Sequence, residues 1–217
     1  MLMDSYIQNR IQEGEHQQLD FKFEISDSRK IAKTLVAFAN TDGGTLLIGV
    51  KDNGKLAGVR SDEEFYMVQA AANLYSKPEI SFKSRKWVVS GKTILEVIIP
   101  KAEGGPCFAE TEPGRWQAYV RIMDENILAS RIHLKVWRIK TSNRGILIGY
   151  SGKIKKLMEY FKMHDTISVT RFSKLAFLSR YDAENIIAHL VYFGILEMVY
   201  SEKHFVYRLG DGEGYDQ

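Results

Sequence analysis

Apolar and polar residues alternate in the stretch "LDFKFE", where Leu19, Phe21 and Phe23 stand against Asp20, Lys22 and Glu24. A period of two predicts a half-buried strand. A helical turn or two around Ile7 and Ile11 precedes it. The spacing then changes. Ile31, Leu35 and Phe38 recur at helical intervals with Ala32 and Ala39 beside them, which predicts an amphipathic helix of about three turns. Asp27 or Ser28 is placed to cap its start. Gly43 is placed to end it in a left-handed conformation, and Gly44 to let the chain reverse. Residues 45–50 are nearly all apolar, as in a strand buried on both faces. Asp52-Asn53-Gly54 is a hairpin turn signal, because Asn-Gly accepts positive φ at both central positions. Residues 55–59 are expected to return as the partner strand.

Ser61 and Glu64 have the spacing of a capping box, opening a helix that runs to about Ser76 before Pro78 stops it. Strands are expected at 80–82, 87–89 and 93–100, with a short one near Phe108. Another covers "RWQAYVRIM", with Trp116, Ala118, Val120 and Ile122 on one face. Residues 1–143 therefore read as one α+β domain with a mostly antiparallel sheet and two main helices. Residues 144–151 read as a linker. Residues 152–217 follow with helix, short strand, helix, helix and a hairpin turning at 201–203. Thr170 is a candidate cap for the second of these helices. Ile186, Ile187, Leu190 and Val191 are expected to face inward on the third, with Gly194 ending it. This order is that of a winged helix-turn-helix.

Composition adds few constraints. The 217 residues are 45% hydrophobic and 26% charged, with a net charge of +3, ordinary values for a globular protein. The first 150 residues carry the whole excess, and residues 151–217 hold nine basic and nine acidic side chains. Cys107 is the sole cysteine, so an intrachain disulfide and a multi-cysteine zinc site are excluded. No apolar stretch suits a signal peptide or reaches the ~20 residues of a membrane span. The expectation is a cytoplasmic protein.

Three kinds of chemistry are suggested by the residues. "GKT" at 91–93 resembles the end of a P-loop, but Lys86 occupies the position of the required first glycine, so P-loop ATP hydrolysis is excluded. Glu13, Glu15 and Asp20 lie on or before the first strand, and Asp52 at the far end of the hairpin. Carboxylates gathered from strand ends could hold a divalent cation and activate water against a phosphodiester. The plainer expectation is that Asp20 faces solvent and Asp52 serves its turn. Lys22, Arg29, Lys30 and Lys33, the group Lys83, Arg85 and Lys86, and Arg115, Arg121 and Arg131 could contact phosphates. In the tail, Asp182 and Glu184 open the third helix, and acids there would repel phosphates.

The ordered set "LDFKFE", "IAKTLVAFANTDGGTLLIGVKDNGKLAGV", "ILEVIIPKAEGGPCF" and "AYVRIMDENILAS" resembles the Schlafen-type AlbA-like domain, also called divergent AAA-4, over residues 13–131. The resemblance implies a DNA-binding domain of bacterial transcriptional regulators; of the basic clusters read from the sequence, Lys22, Arg29, Lys30, Lys33, Arg121 and Arg131 are the expected nucleic-acid-binding set. DNA is favoured over RNA, and a homodimer is compatible with the reading. The alternative it implies is a metal-dependent endoribonuclease of Schlafen type, with Glu15, Asp20 and Asp52 as catalytic and metal-binding acids and Mg or Mn as cofactor. Without that activity no cofactor is expected. Lys51 stands where the first hairpin aspartate is usual, and Asp20 is shorter than the common glutamate.

Overall fold

The computed structural model describes residues 2–142, 149 and 151–210, and the chain divides between Ala129 and Ser130 into two compact units. The fold is mixed α+β, with seven helices and mostly antiparallel sheets among the described residues.

In the first unit, β1 (Leu19–Lys22) and β2 (Gly44–Ile48) run parallel, joined by α2 (Ser28–Ala39). A parallel pair needs such a crossover. Two antiparallel strands, β5 (Lys92–Ile99) and β4 (Lys83–Val89), complete the order β1-β2-β5-β4. The hairpin between them turns on Ser90 and Gly91, both at positive φ. Side-chain alternation then divides the core. On one face Leu46, Ile48, Leu95, Val97 and Ile99 pack against α2 and α3 (Glu63–Asn73). On the other Leu19, Phe21, Leu47, Trp87 and Ile94 pack against Ile7 of α1 (Leu2–Glu13). β2 therefore lies between two apolar layers, and its continuous hydrophobicity follows.

A second, three-stranded sheet has the order β3-β6-β7, from β3 (Ser76–Lys77), β6 (Phe108–Glu112) and β7 (Arg115–Gln117). β8 (Tyr119–Ile122) and β9 (Glu125–Leu128) form a separate hairpin. α2 packs against β6 and β8 as well as the main sheet, so eight of its twelve residues are buried.

Several expectations change. Of the expected partner strand at 55–59 only an isolated antiparallel bridge from Leu56 to Val50 forms. β1 and β5 already occupy both edges of β2, leaving no ladder for a third partner. The chain curls instead, with Ala57 and Gly58 both donating to the Gly49 carbonyl. The tight turn survives, with Gly54 N donating to Lys51 O at 2.8 Å. "RWQAYVRIM" is two strands, because β7 pairs with β6 while β8 turns to β9. The expected strand at 80–82 is irregular, and pairing begins at Lys83. Ser61 accepts from Glu63 N, but Asp62 is the N-cap and no reciprocal box closes.

The second unit begins at Ser130, so α4 (Arg131–Lys140) belongs to it rather than to the first domain. The expected linker at 144–151 falls largely outside the described residues. α5 (Gly152–Phe161), α6 (Val169–Ala176) and α7 (Arg180–Tyr192) precede the hairpin β10 (Leu196–Ser201) and β11 (His204–Leu209). The expected short strand reduces to one bridge, Ile167 to Tyr207. Ser168, not Thr170, caps α6. Leu157, Phe172, Ile187, Leu190 and Tyr207 form the core, joined by Ile132 and Val136 of α4. Ile186 and Val191 are only half-buried. Among the described residues no helix is long and apolar enough to cross a membrane.

Candidate nucleic-acid interface

Asp20 does not face solvent. It is 3% exposed, and its Oδ1 accepts a bond from Arg121 Nη2 at 2.9 Å. Lys22 Nζ lies 2.6 Å from Oδ2. Arg121 is itself 1% exposed. Its guanidinium also donates to Asn126 Oδ1 and the Leu19 carbonyl, and it lies 5.1 Å from the centre of the Phe38 ring. The expectation that Arg121 contacts phosphates is thereby corrected. A guanidinium held by a buried carboxylate and backbone carbonyls has no route to a polyanion on the surface.

Glu15 is brought to the same place. Its Oε1 accepts from Phe21 N at 2.8 Å. Burial raises the Glu15 pKa, the Phe21 bond opposes this, the adjacent Asp20 charge raises it further, and Lys22 opposes again. Two of the three candidate acids therefore meet, with Lys22 and Arg121 supplying the positive charge beside them. Asp52 is exposed in the turn after β2. Among the described residues no three His, Cys, Asp or Glu side chains are grouped closely enough to hold a metal. Glu13 is occupied by Arg10 at 2.7 Å.

The segment "ANTD" after α2 carries a role that periodicity does not signal. Asn40 donates to the carbonyls of Cys107 and Tyr119, and its Oδ1 accepts from Cys107 N at 2.7 Å. Thr41 Oγ1 accepts from Arg121 N and donates to Ala37 O. These side chains tie the helix end to β8, which sets Arg121 over Asp20. Gln17 adds a bond to the Arg121 carbonyl. A cluster of Asn and Thr just past a helix is a signal of local side-chain-to-backbone bonding, but their partners lie far along the chain.

The α2 cations are arranged differently. Asp27 caps the helix by accepting from Arg29 N. Arg29 and Lys33, one turn apart, flank Lys30. Lys30 is exposed, and no ion pair involves it among the described residues. Arg29 lies 4.5 Å from the Tyr75 ring centre and 3.6 Å from Glu110. Lys33 lies 5.8 Å from the Tyr119 ring centre. Of the second basic group, Lys86 pairs with Asp62, and Arg85 lies over Trp87. Arg131 belongs to the second unit, where it approaches Glu184 at 3.8 Å.

The acids of α7 also take unexpected positions. Asp182 accepts from the Ser179 hydroxyl at 2.6 Å, inside the helix cap. Glu184 is 3% exposed and is approached by Arg180 at 3.1 Å, Arg131 and Lys135. Three cations face one buried carboxylate, so the start of α7 is not the acidic surface its composition predicts.

Residues 15–130 match the family described as Schlafen, AlbA_2, and the chain belongs to it. No curated protein shows significant similarity to the chain. Solved structures similar to the chain include two of low identity. The DIP2311 protein of Corynebacterium diphtheriae is 19% identical with a TM-score of 0.44, and the match covers 59% of this chain and 25% of that one. The N-terminal domain of a protein related to the ATP-dependent DNA helicase RecG, from Nitrosomonas europaea, is 21% identical with a TM-score of 0.43, over 70% of this chain and 98% of that one. This chain thus spans about a quarter of the length of the Corynebacterium protein.

Proposed function

We propose that the protein binds nucleic acid, as a DNA-binding transcriptional regulator. The observation that carries this is the basic set on α2, with Lys30 exposed and Arg29 and Lys33 half-buried beside it, in a Schlafen AlbA_2 unit. These cations sit on a rigid, well-buried helix, so phosphate contacts there require no ordering of a loop. In the second unit, α6 and α7 joined by a short turn and followed by a hairpin support a winged helix-turn-helix. The cations Arg131, Lys135 and Arg180 near the start of α7 favour a polyanion there too.

A second reading, metal-dependent ribonuclease, is favoured by the meeting of Glu15 and Asp20. In it these two acids would hold Mg or Mn, and Asp52 would have to join them. One experiment separates the readings. The chain is incubated with duplex DNA, single-stranded DNA and tRNA, with and without Mg²⁺ or Mn²⁺. Retarded, intact duplex supports the regulator. Metal-dependent cleavage of tRNA supports the nuclease, and absence of binding to any of them sinks both.

A further inference from the structure

The three-stranded sheet β3-β6-β7 has one face on α2 and the other outside. Ser76, Ala109 and Gln117 lie in one cross-strand row, and Ala109 is fully buried. The neighbouring positions point the other way. Lys77 pairs with Phe108, and Glu110 pairs with Trp116. Glu110 N donates to the Tyr75 carbonyl at 2.9 Å, which extends the second row to Tyr75. Alternation therefore places Phe108, Glu110 and Trp116 on one face with Lys77, while Tyr75 at its edge is half-buried against the core. Trp116 keeps 37% of its surface exposed.

Cations border these rings. Arg29 lies over Tyr75, and Lys77 lies 6.0 Å from the Trp116 ring centre. The acids are matched: Glu110 by Arg29 and by Gly114 N, Glu112 by Arg115 at 3.6 Å. Lys77 pairs with no carboxylate among the described residues, so the face is net positive. The exposed Trp116 ring with Phe108 beside it, bordered by Lys77, suits a stacked base with phosphate alongside. A duplex cannot use such rings, because its bases are already stacked on one another.

We propose that this face is a stacking platform for unpaired bases of a single-stranded nucleic acid segment. The inference rests on the nucleic-acid reading above and adds a second strand form, taken at this face of the first unit apart from the α2 cations. Trp116 is the principal stacking ring, Phe108 extends the surface beside it, and Lys77 holds phosphate.

The test compares the full chain with Trp116→Ala and Trp116→Phe. The probes are a single-stranded oligonucleotide of about 12 residues, inside the span such grooves cover, and a duplex of the same sequence. Fluorescence anisotropy gives affinity, tryptophan emission reports stacking, and thermal melting reports folding. Trp116→Ala should lose about 5- to 100-fold in single-strand affinity, the range set by stacking one base, with duplex affinity and melting unchanged. Trp116→Phe should restore most of the loss. The single strand should quench emission in the parent and much less in Trp116→Phe. Single-strand affinity unchanged in Trp116→Ala, or an equal loss for duplex, overturns the platform while leaving the nucleic-acid reading standing. A parent that binds neither probe overturns the nucleic-acid reading and the platform together.

Discussion

Arg121 Nη2 stands 2.9 Å from Asp20 Oδ1, and neither side chain reaches solvent. The two residues lie about a hundred positions apart in the chain and on different sheets. The pair joins β8 to β1. Lys22 shares the carboxylate from the outer side, and the Asn40–Thr41 network holds the backbone of β8 against the end of α2.

Breaking this pair should unfold the first unit before it affects any binding surface. Asp20→Ala leaves the Arg121 charge buried and unmatched, and such losses cost about 3–5 kcal/mol. Arg121→Met should be comparably severe. Urea titration of each variant is the measurement, and a midpoint equal to that of the parent would show that the pair contributes nothing.

Gly43 adopts φ +68, and a Cβ there would stand 2.7 Å from the Ile99 carbonyl oxygen. Gly43→Val adds a β-branched side chain at positive φ, where strain is on the order of 1–3 kcal/mol before any clash is counted. A lower melting temperature and reduced soluble yield are expected. An unshifted melting curve would contradict the left-handed geometry.

Lys30 and Lys33 should act on affinity without acting on fold. Each phosphate contact removed lowers the slope of log K against log salt by about 0.9 for duplex DNA. The double variant Lys30→Gln/Lys33→Gln should therefore bind duplex more weakly, with a slope shallower by about 1.8. Its melting temperature should match that of the parent. A slope identical to the parent's would place the contacts elsewhere.

His133 gives the second unit a pH dependence. Its Nδ1 accepts from Ser130 N at 3.2 Å, and burial lowers its pKa from 6.5 to about 4. Between those values the unfolded chain carries the proton and the folded chain does not, so protons favour unfolding. The contribution is complete above about pH 6.5 and is lost as pH falls toward 4, by at most about 1.4 kcal/mol per pH unit. His133→Gln keeps a side chain suited to the capping box and removes the titration. Calorimetry of both proteins across this range should show the variant's second-unit transition to be the flatter one.

Asp52→Asn should change neither folding nor duplex affinity, because the side chain is exposed in a turn that asparagine also suits. Electrophoretic retardation and thermal melting check this. Cleavage of tRNA by the parent that vanishes in the variant would move the reading to the nuclease.

Local pattern was enough to locate most elements. The spacing of Ile31, Leu35 and Phe38 specified α2, and the apolar run at 45–50 specified a strand buried on both faces. The "SGK" and Glu202–Lys203 turns, both at positive φ, set two hairpins. These depend on contacts between near neighbours, which the order of residues encodes directly. The family resemblance over the first unit was legible for the same reason, since its motifs sit on those elements.

What the chain order left undecided was the choice of partner. Residues 55–59 have the pattern of a strand, yet the edges of β2 were taken by β1 and β5. "RWQAYVRIM" has the pattern of one strand, yet its halves pair in different sheets. Asp20, Arg121 and Glu184 have the composition of surface charge, yet they are buried, because each found an opposite charge from a distant segment. The cost of burying a charge depends on what lies within a few ångströms of it, and that distance exists only once the chain has folded.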